Sequence, residues 1–254
     1  MNTKQIITSV NMILRMLVRR RIVLILLLVI PVVFLSMVEI TAPERILPFR
    51  LASLEEDIFI EESEKQISLI FFAVAAAGFL MSFLALNLIQ KDQDVNRRLV
   101  LSGYHPLELL ISNLLALFIM IILIAVYVGL LTNTFFTIAH WGTVVLGLAL
   151  TGFVYGCYGL LAGSLIRGEL EGILLIVLLV NLDAGWLQNP LFYAEAQNQM
   201  IIRYLPAYYP SQVTIIAGFT DYSVATACIN SLLYGFGLLL LSMLIFFTKM
   251  KVHR

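Results

Sequence analysis

The sequence predicts an all-α integral membrane protein with six transmembrane helices, and three observations carry that prediction. First, 61% of its 254 residues are hydrophobic and 13% charged, with a mean hydropathy of +0.96, far from soluble globular composition. Second, apolar runs recur at Arg21–Val38, Ile67–Ile89, Pro106–Thr132, Thr143–Ile166, Ile173–Gln188 and Ser223–Phe247. About 20 residues rising 1.5 Å each cross a hydrocarbon core roughly 30 Å thick, so each run reads as a span, the fifth a short one. Third, basic residues alternate between the connections. Lys4, Arg15, Arg19, Arg20 and Arg21 lead the first span; Lys91, Arg97 and Arg98 follow the second; Arg167 follows the fourth; Lys249, Lys251 and Arg254 follow the sixth. The positive-inside rule then places both termini in the cytoplasm and the odd-numbered loops outside.

Residues 1–20 precede the first span. Ile6, Val10, Ile13 and Leu17 recur at helical spacing, with Lys4, Thr8, Asn11 and Arg15 on the other side. This predicts a basic amphipathic helix in the headgroup plane, its apolar face toward the acyl chains. The apolar run that follows is too long for a signal peptide and lacks an A-x-A site after it, so a retained span is expected.

The first external segment, residues 39–66, carries Pro43, Pro48 and the acids Glu55, Glu56, Asp57, Glu61, Glu62 and Glu64. It reads as a loop with one short helix. The second span holds Ala73/Ala77 and Gly78/Ser82, and the fourth holds Gly152/Gly156 and Gly159/Gly163. Such small-residue pairs let helix backbones approach closely in lipid, either within one subunit, the favoured reading, or between two. Cys157 and Cys228 lie inside spans and read as small packing residues.

Between the second and third spans, residues 91–104 gather Asp92, Asp94, Arg97 and Arg98 with Val95, Leu99 and Leu101. Gly103 can end a helix there and Pro106 can start the next. One reading is a solvated loop whose arginines set topology; the other is a short capped helix with an apolar edge, as a docking surface requires.

Residues 190–222 are too apolar for an exposed loop and too broken by proline for a span. A re-entrant pair of short helices fits, with tyrosines at the interface and Pro210 and Gly218 bounding the last helix. Asp183 is the one acid in the middle of a span, where a carboxylate costs roughly 2.5–3.5 kcal/mol on insertion scales. It reads as a proton or cation site, as a polar contact on a substrate path, or as a group bonded locally to Asn181 or the following loop.

Several chemistries have no support. His105, His140 and His253 each lack a second ligand at metal spacing. There is no G-x-x-x-x-G-K-[ST] phosphate loop, no G-x-S-x-G and no H-E-x-x-H. No catalytic residue is expected in this chain.

In its layout, and in the run R-R-L-x-x-S-G-Y-x-P-x-E-L-L at Arg97–Leu110 backed by Leu205-Pro-Ala-Tyr-Tyr-Pro210, the chain resembles the membrane subunit of a type-two ATP-binding cassette exporter. Members of that superfamily move drugs, lipids, peptides and polysaccharides. The resemblance implies a permease without its own ATPase, paired with a second permease subunit (the same chain or a paralogue) among the lipids of a bacterial plasma membrane. ATP and magnesium would belong to a separate cytosolic ATPase subunit, and no nucleic-acid partner is expected. Residues 91–104 would form the coupling helix, with Asp92, Asp94, Arg97, Arg98 and Tyr104 at the ATPase. Phe72, Phe79, Phe83, Asn181 and Asp183 would line the path, and Tyr204, Tyr208 and Tyr209 would belong to an external gate. Two rival readings are a proton-coupled transporter using Asp183 and a sensor or immunity subunit that does not export.

Overall fold

The computed structural model describes residues 3–51, 58–91, 106–166 and 168–252. Among them six helices are long and apolar enough to cross a membrane, and this is a multi-pass, all-α membrane bundle. Helix α1 (Thr3–Arg19) leads across Arg20 into α2 (Arg21–Thr41). The stripe of α1 is as expected, but its covering is not: Ile6, Ile13 and Leu17 are buried and α1 packs on α4 (Pro106–Phe135), where Ser112 Oγ donates to the Ile6 carbonyl at 3.4 Å. Protein, rather than acyl chains alone, covers that face; Ile7 and Val18 stay exposed on another. A 3.6-residue period reports a face, not what lies against it. Inside α2, Pro31 removes one backbone donor and strains the preceding turn. Tyr127 of α4 donates its hydroxyl to the Leu28 carbonyl there at 2.7 Å.

Helix α3 (Glu64–Lys91) is the axis of the bundle. Its most apolar stretch is 83% buried, against 17% for α10 (Ala225–Val252) at the margin. It packs most extensively on α5 (Trp141–Leu165), and sequence explains why. In lipid no hydrophobic force draws two helices together, so close backbone packing must hold them. Gly159 lies against the Ser82 backbone, Gly163 against Ile89, and Gly78 under the Tyr155 ring. Gly152 and Gly156 face Met81, Leu117 and Ile121 of α3 and α4, while Gly147 meets Thr214 of α9 (Tyr208–Phe219). Both G-x-x-x-G pairs are therefore filled by this subunit's own helices.

The first external segment differs from the expected loop with a helix. Strands β1 (Ile46–Arg50) and β2 (Phe59–Ser63) form an antiparallel hairpin, with Ile46 opposite Ser63 and Arg50 opposite Phe59. Phe49 and Leu51 point inward and pack on Ile67, Ile70, Ile215 and Ile216. Pro48 is tolerated because a two-stranded sheet has only edge strands. At its base Lys65 donates to Glu39 at 2.9 Å and Glu44 at 2.8 Å, and Arg45 pairs with Glu64. The Lys65 hydrogen bond and charge hold the exposed Glu44 carboxyl below its usual range.

The fifth crossing is α6 (Glu169–Leu182), continued by a single π turn at Asp183–Leu187. Together they rise about 28 Å at 1.5 Å per residue, which is enough to cross. Three short helices, not two, then return the chain before the last crossing: α7 (Pro190–Glu195), α8 (Gln199–Arg203) and α9. Asn189 caps α7 by accepting from the Leu191 amide at 3.0 Å, with Pro190 opening the helix. Helix α9 is almost wholly buried against α5 and α10, the condition under which a broken segment is tolerated at membrane depth.

Candidate functional site

Asp183 continues the buried face of α6 set by Gly172, Ile176 and Val180, and the π turn that begins at it brings Gln188 round to the same carboxylate. A π turn widens the coil by one residue and turns the side chains that follow onto a new face. Asp183 is 4% exposed, and its two oxygens collect three donors. Oδ2 accepts from the Tyr155 hydroxyl of α5 at 2.6 Å and from the Ala207 amide at the start of α9 at 2.8 Å. Oδ1 accepts from Gln188 Nε2 at 2.9 Å. Buried polar groups must be paired, and here one carboxylate joins α5, the end of its own π turn and the start of α9.

Asn181 is not its partner. The Asn181 amide donates to the Val177 carbonyl at 2.7 Å, one helical turn back, and the residue opens on a cavity of about 130 Å³. Phe34, Ala75, Phe79, Val177, Val180 and Gly185 complete the lining. The wall is apolar and aromatic, with a single amide and no charge. Of the five residues expected along a path, Phe79 and Asn181 share this cavity. Phe72 stands beside it through an edge contact with Phe34 at 6.4 Å, and Phe83 stacks on Phe79 at 6.5 Å. Asp183 belongs to the clamp and not to the lining.

The three tyrosines expected at the gate separate. Tyr208 is buried between Tyr193 and Tyr209, with ring centroids 5.9 and 5.1 Å away. Tyr204 is exposed, and its carbonyl accepts from the Tyr234 hydroxyl of α10 at 3.0 Å. Arg203 donates to the Tyr193 hydroxyl at 3.0 Å, which ties α8 to α7.

At the opposite end of α3, Gln90 donates through Nε2 to the carbonyls of Ile166 at 3.1 Å and Gly168 at 3.3 Å. One side chain thus fastens the end of α3 to the turn that starts α6. Asp92, Asp94, Arg97, Arg98 and Tyr104, the expected docking residues, lie outside the described residues, immediately beyond this tie.

Sequence reasoning singled out Asp183 and Asn181 but missed Tyr155, Gln188, Phe34 and Gln90. One signal existed. Asp183 and Gln188 are five apart, off-face in an α-helix and in register across a π turn.

No curated protein matches the chain. A family model, that of the ABC-2 family transporter protein, matches residues 47–247. That span takes in nearly all of the hairpin, both small-residue helices, every cavity residue but Phe34, the residues bonded to Asp183 and all but the first of the crossings. Members are membrane components of transport that work with an ATP-binding cassette ATPase subunit. With six candidate crossings around a buried small-residue axis and a family match over most of its length, the chain belongs to this family as an ABC transporter permease subunit.

Proposed function

We propose that this chain forms the translocation path of an ATP-driven exporter in a bacterial plasma membrane, as one of two paired permease subunits. Each subunit engages a cytosolic ATPase that holds the ATP and magnesium. Both termini and residues 91–104 face the cytoplasm, following the alternation of basic residues. ATP-driven closure of the two ATPase subunits favours one tilt of the helices, and hydrolysis favours the other, so the path opens alternately to each side. The observation that supports this best is the family match over residues 47–247 of a chain that carries no phosphate loop. The apolar, aromatic lining with one amide matches the chemistry of an amphipathic cargo, such as a drug, peptide or lipid, although about 130 Å³ in one subunit holds only part of such a molecule.

The test is reconstitution. The chain, co-expressed with a cognate ATPase, should retain it through purification. In inside-out vesicles the complex should accumulate an amphipathic fluorescent substrate only with hydrolysable ATP. Transport that survives without ATP and collapses with a proton ionophore would overturn the reading, as would failure of any ABC ATPase to co-purify.

The Gln90 tie gives a second, smaller expectation. Gln90→Leu keeps side-chain bulk but frees the Ile166 and Gly168 carbonyls, at about 0.5–1.5 kcal/mol per hydrogen bond. ATPase recovery should be unchanged while substrate moved per ATP falls several-fold. Unchanged coupling in the vesicle assay would show that α6 receives its motion by another route.

A further inference from the structure

We propose that Asp183 is a positioning residue for the outer gate: its carboxylate clamps the start of α9 to the π turn and to α5, and release of this clamp accompanies outward opening. The inference rests on the exporter reading above and adds to it which contact must break.

Three observations converge on it. The first is the electrostatic design. Among the described residues no lysine or arginine pairs with Asp183. Its partners are a hydroxyl, an amide side chain and the first free amide of α9, a twelve-residue helix whose N-terminal dipole favours negative charge. A carboxylate held by dipoles alone is sensitive to their alignment, because separation of any one weakens the whole arrangement. The second is mechanical. Along α6 and the π turn, Leu170, Leu174, Leu178, Leu182 and Trp186 form an exposed stripe, so within this subunit α6 is packed on one side only. Among the described residues its polar ties to the rest of the subunit are at its ends, the Gln90 tie on the coupling side and the Asp183 clamp on the other. Movement delivered at the first end must be absorbed at the second. The third is adjacency. Val177, Val180, Asn181 and Gly185, from the same rod and turn, are four of the seven residues that line the cavity. A tilt of α6 that widens the cavity therefore also drags Asp183 from Ala207.

Hydrogen exchange of the wild-type permease–ATPase complex in lipid nanodiscs tests this directly. In the nucleotide-free complex the Ala207 amide, read in peptides covering 204–209, should exchange slowly. In the complex trapped with ATP and vanadate it should exchange at least about tenfold faster, a factor worth ~1.4 kcal/mol. Asp183→Ala should exchange fast in both states and consume more ATP per substrate moved, whereas Asp183→Asn, which keeps one acceptor, should fall between. A purely structural side chain would lower thermal stability without this dependence on nucleotide state. Equal exchange at Ala207 in the two wild-type states, in a complex that transports on ATP, overturns the clamp and leaves the exporter reading intact. Absence of ATP-dependent transport overturns the exporter reading first. The wild-type comparison needs no variant to fold.

Discussion

Gly159→Ala should cost the folded subunit about 2–4 kcal/mol, the largest loss expected from any single methyl group in this protein. A Cβ at position 159 would strike the Ser82 carbonyl and stand 2.8 Å from the Ser82 Cα and 2.9 Å from its carbonyl carbon. Carbon atoms rest at about 3.5–4.0 Å, and these are backbone atoms that no rotamer change can move. Helices α3 and α5 would have to separate, and with them the contacts along the whole glycine face. Neighbouring positions supply the controls. The tightest contact for Gly156→Ala is Leu117 Cδ2, at 3.3 Å, and a leucine side chain can yield; Gly142→Ala meets nothing within 4 Å. Thermal unfolding in detergent, followed by size-exclusion chromatography, should rank Gly142→Ala as neutral, Gly156→Ala as mild and Gly159→Ala as severe. A Gly159→Ala melting temperature equal to wild type would show that the two helices do not pack this way. A folded but monomeric Gly159→Ala would return the stripe to a role between subunits.

The same residues show how much was legible in the sequence. Membrane spans are written in composition, because twenty apolar residues have few other uses, and the small residues that join α3 to α5 are written in their spacing. The hairpin was hidden by its proline and acids. Yet Leu47, Phe49 and Leu51 alternate with outward-facing neighbours, a period of two that marks a half-buried strand. The Asp183 clamp was less accessible. One of its donors is the backbone amide of Ala207, 24 residues away, and any residue but proline carries such an amide. Asn181 looked like the natural partner because it is two residues off. On a helix, residues two apart point to different faces, and the structure sends one into the cavity and the other into the protein. The α1 stripe was plain, but whether α4 or lipid would cover it was not, since both present apolar surface.

Reversing Arg97 and Arg98 together to glutamate should remove the ATPase from the purified complex and abolish ATP-driven transport. The segment they occupy joins Lys91, where α3 ends, to Pro106, where α4 begins. Both of those helices reach the core, and Gln90 adds the tie to α6. A partner that grips this segment would hold the inner ends of three of the six crossings. Two arginines reversed change the local charge by four, and like-charge juxtaposition across an interface costs several kcal/mol. Recovery of the ATPase in a pull-down should then fall at least about tenfold, since each 1.4 kcal/mol is worth that factor. Insertion should survive, because Arg15, Arg19, Arg20, Arg21, Lys249 and Lys251 still set the orientation. Arg97→Gln with Arg98→Gln separates charge from shape: a partial loss that deepens with added salt marks an electrostatic contact, screened over about 8 Å at physiological ionic strength. Wild-type ATPase recovery and transport in the doubly reversed variant would mean that these arginines only orient the chain in the membrane. The motor would then have to act through another element, and α1, seated on α4, is a candidate.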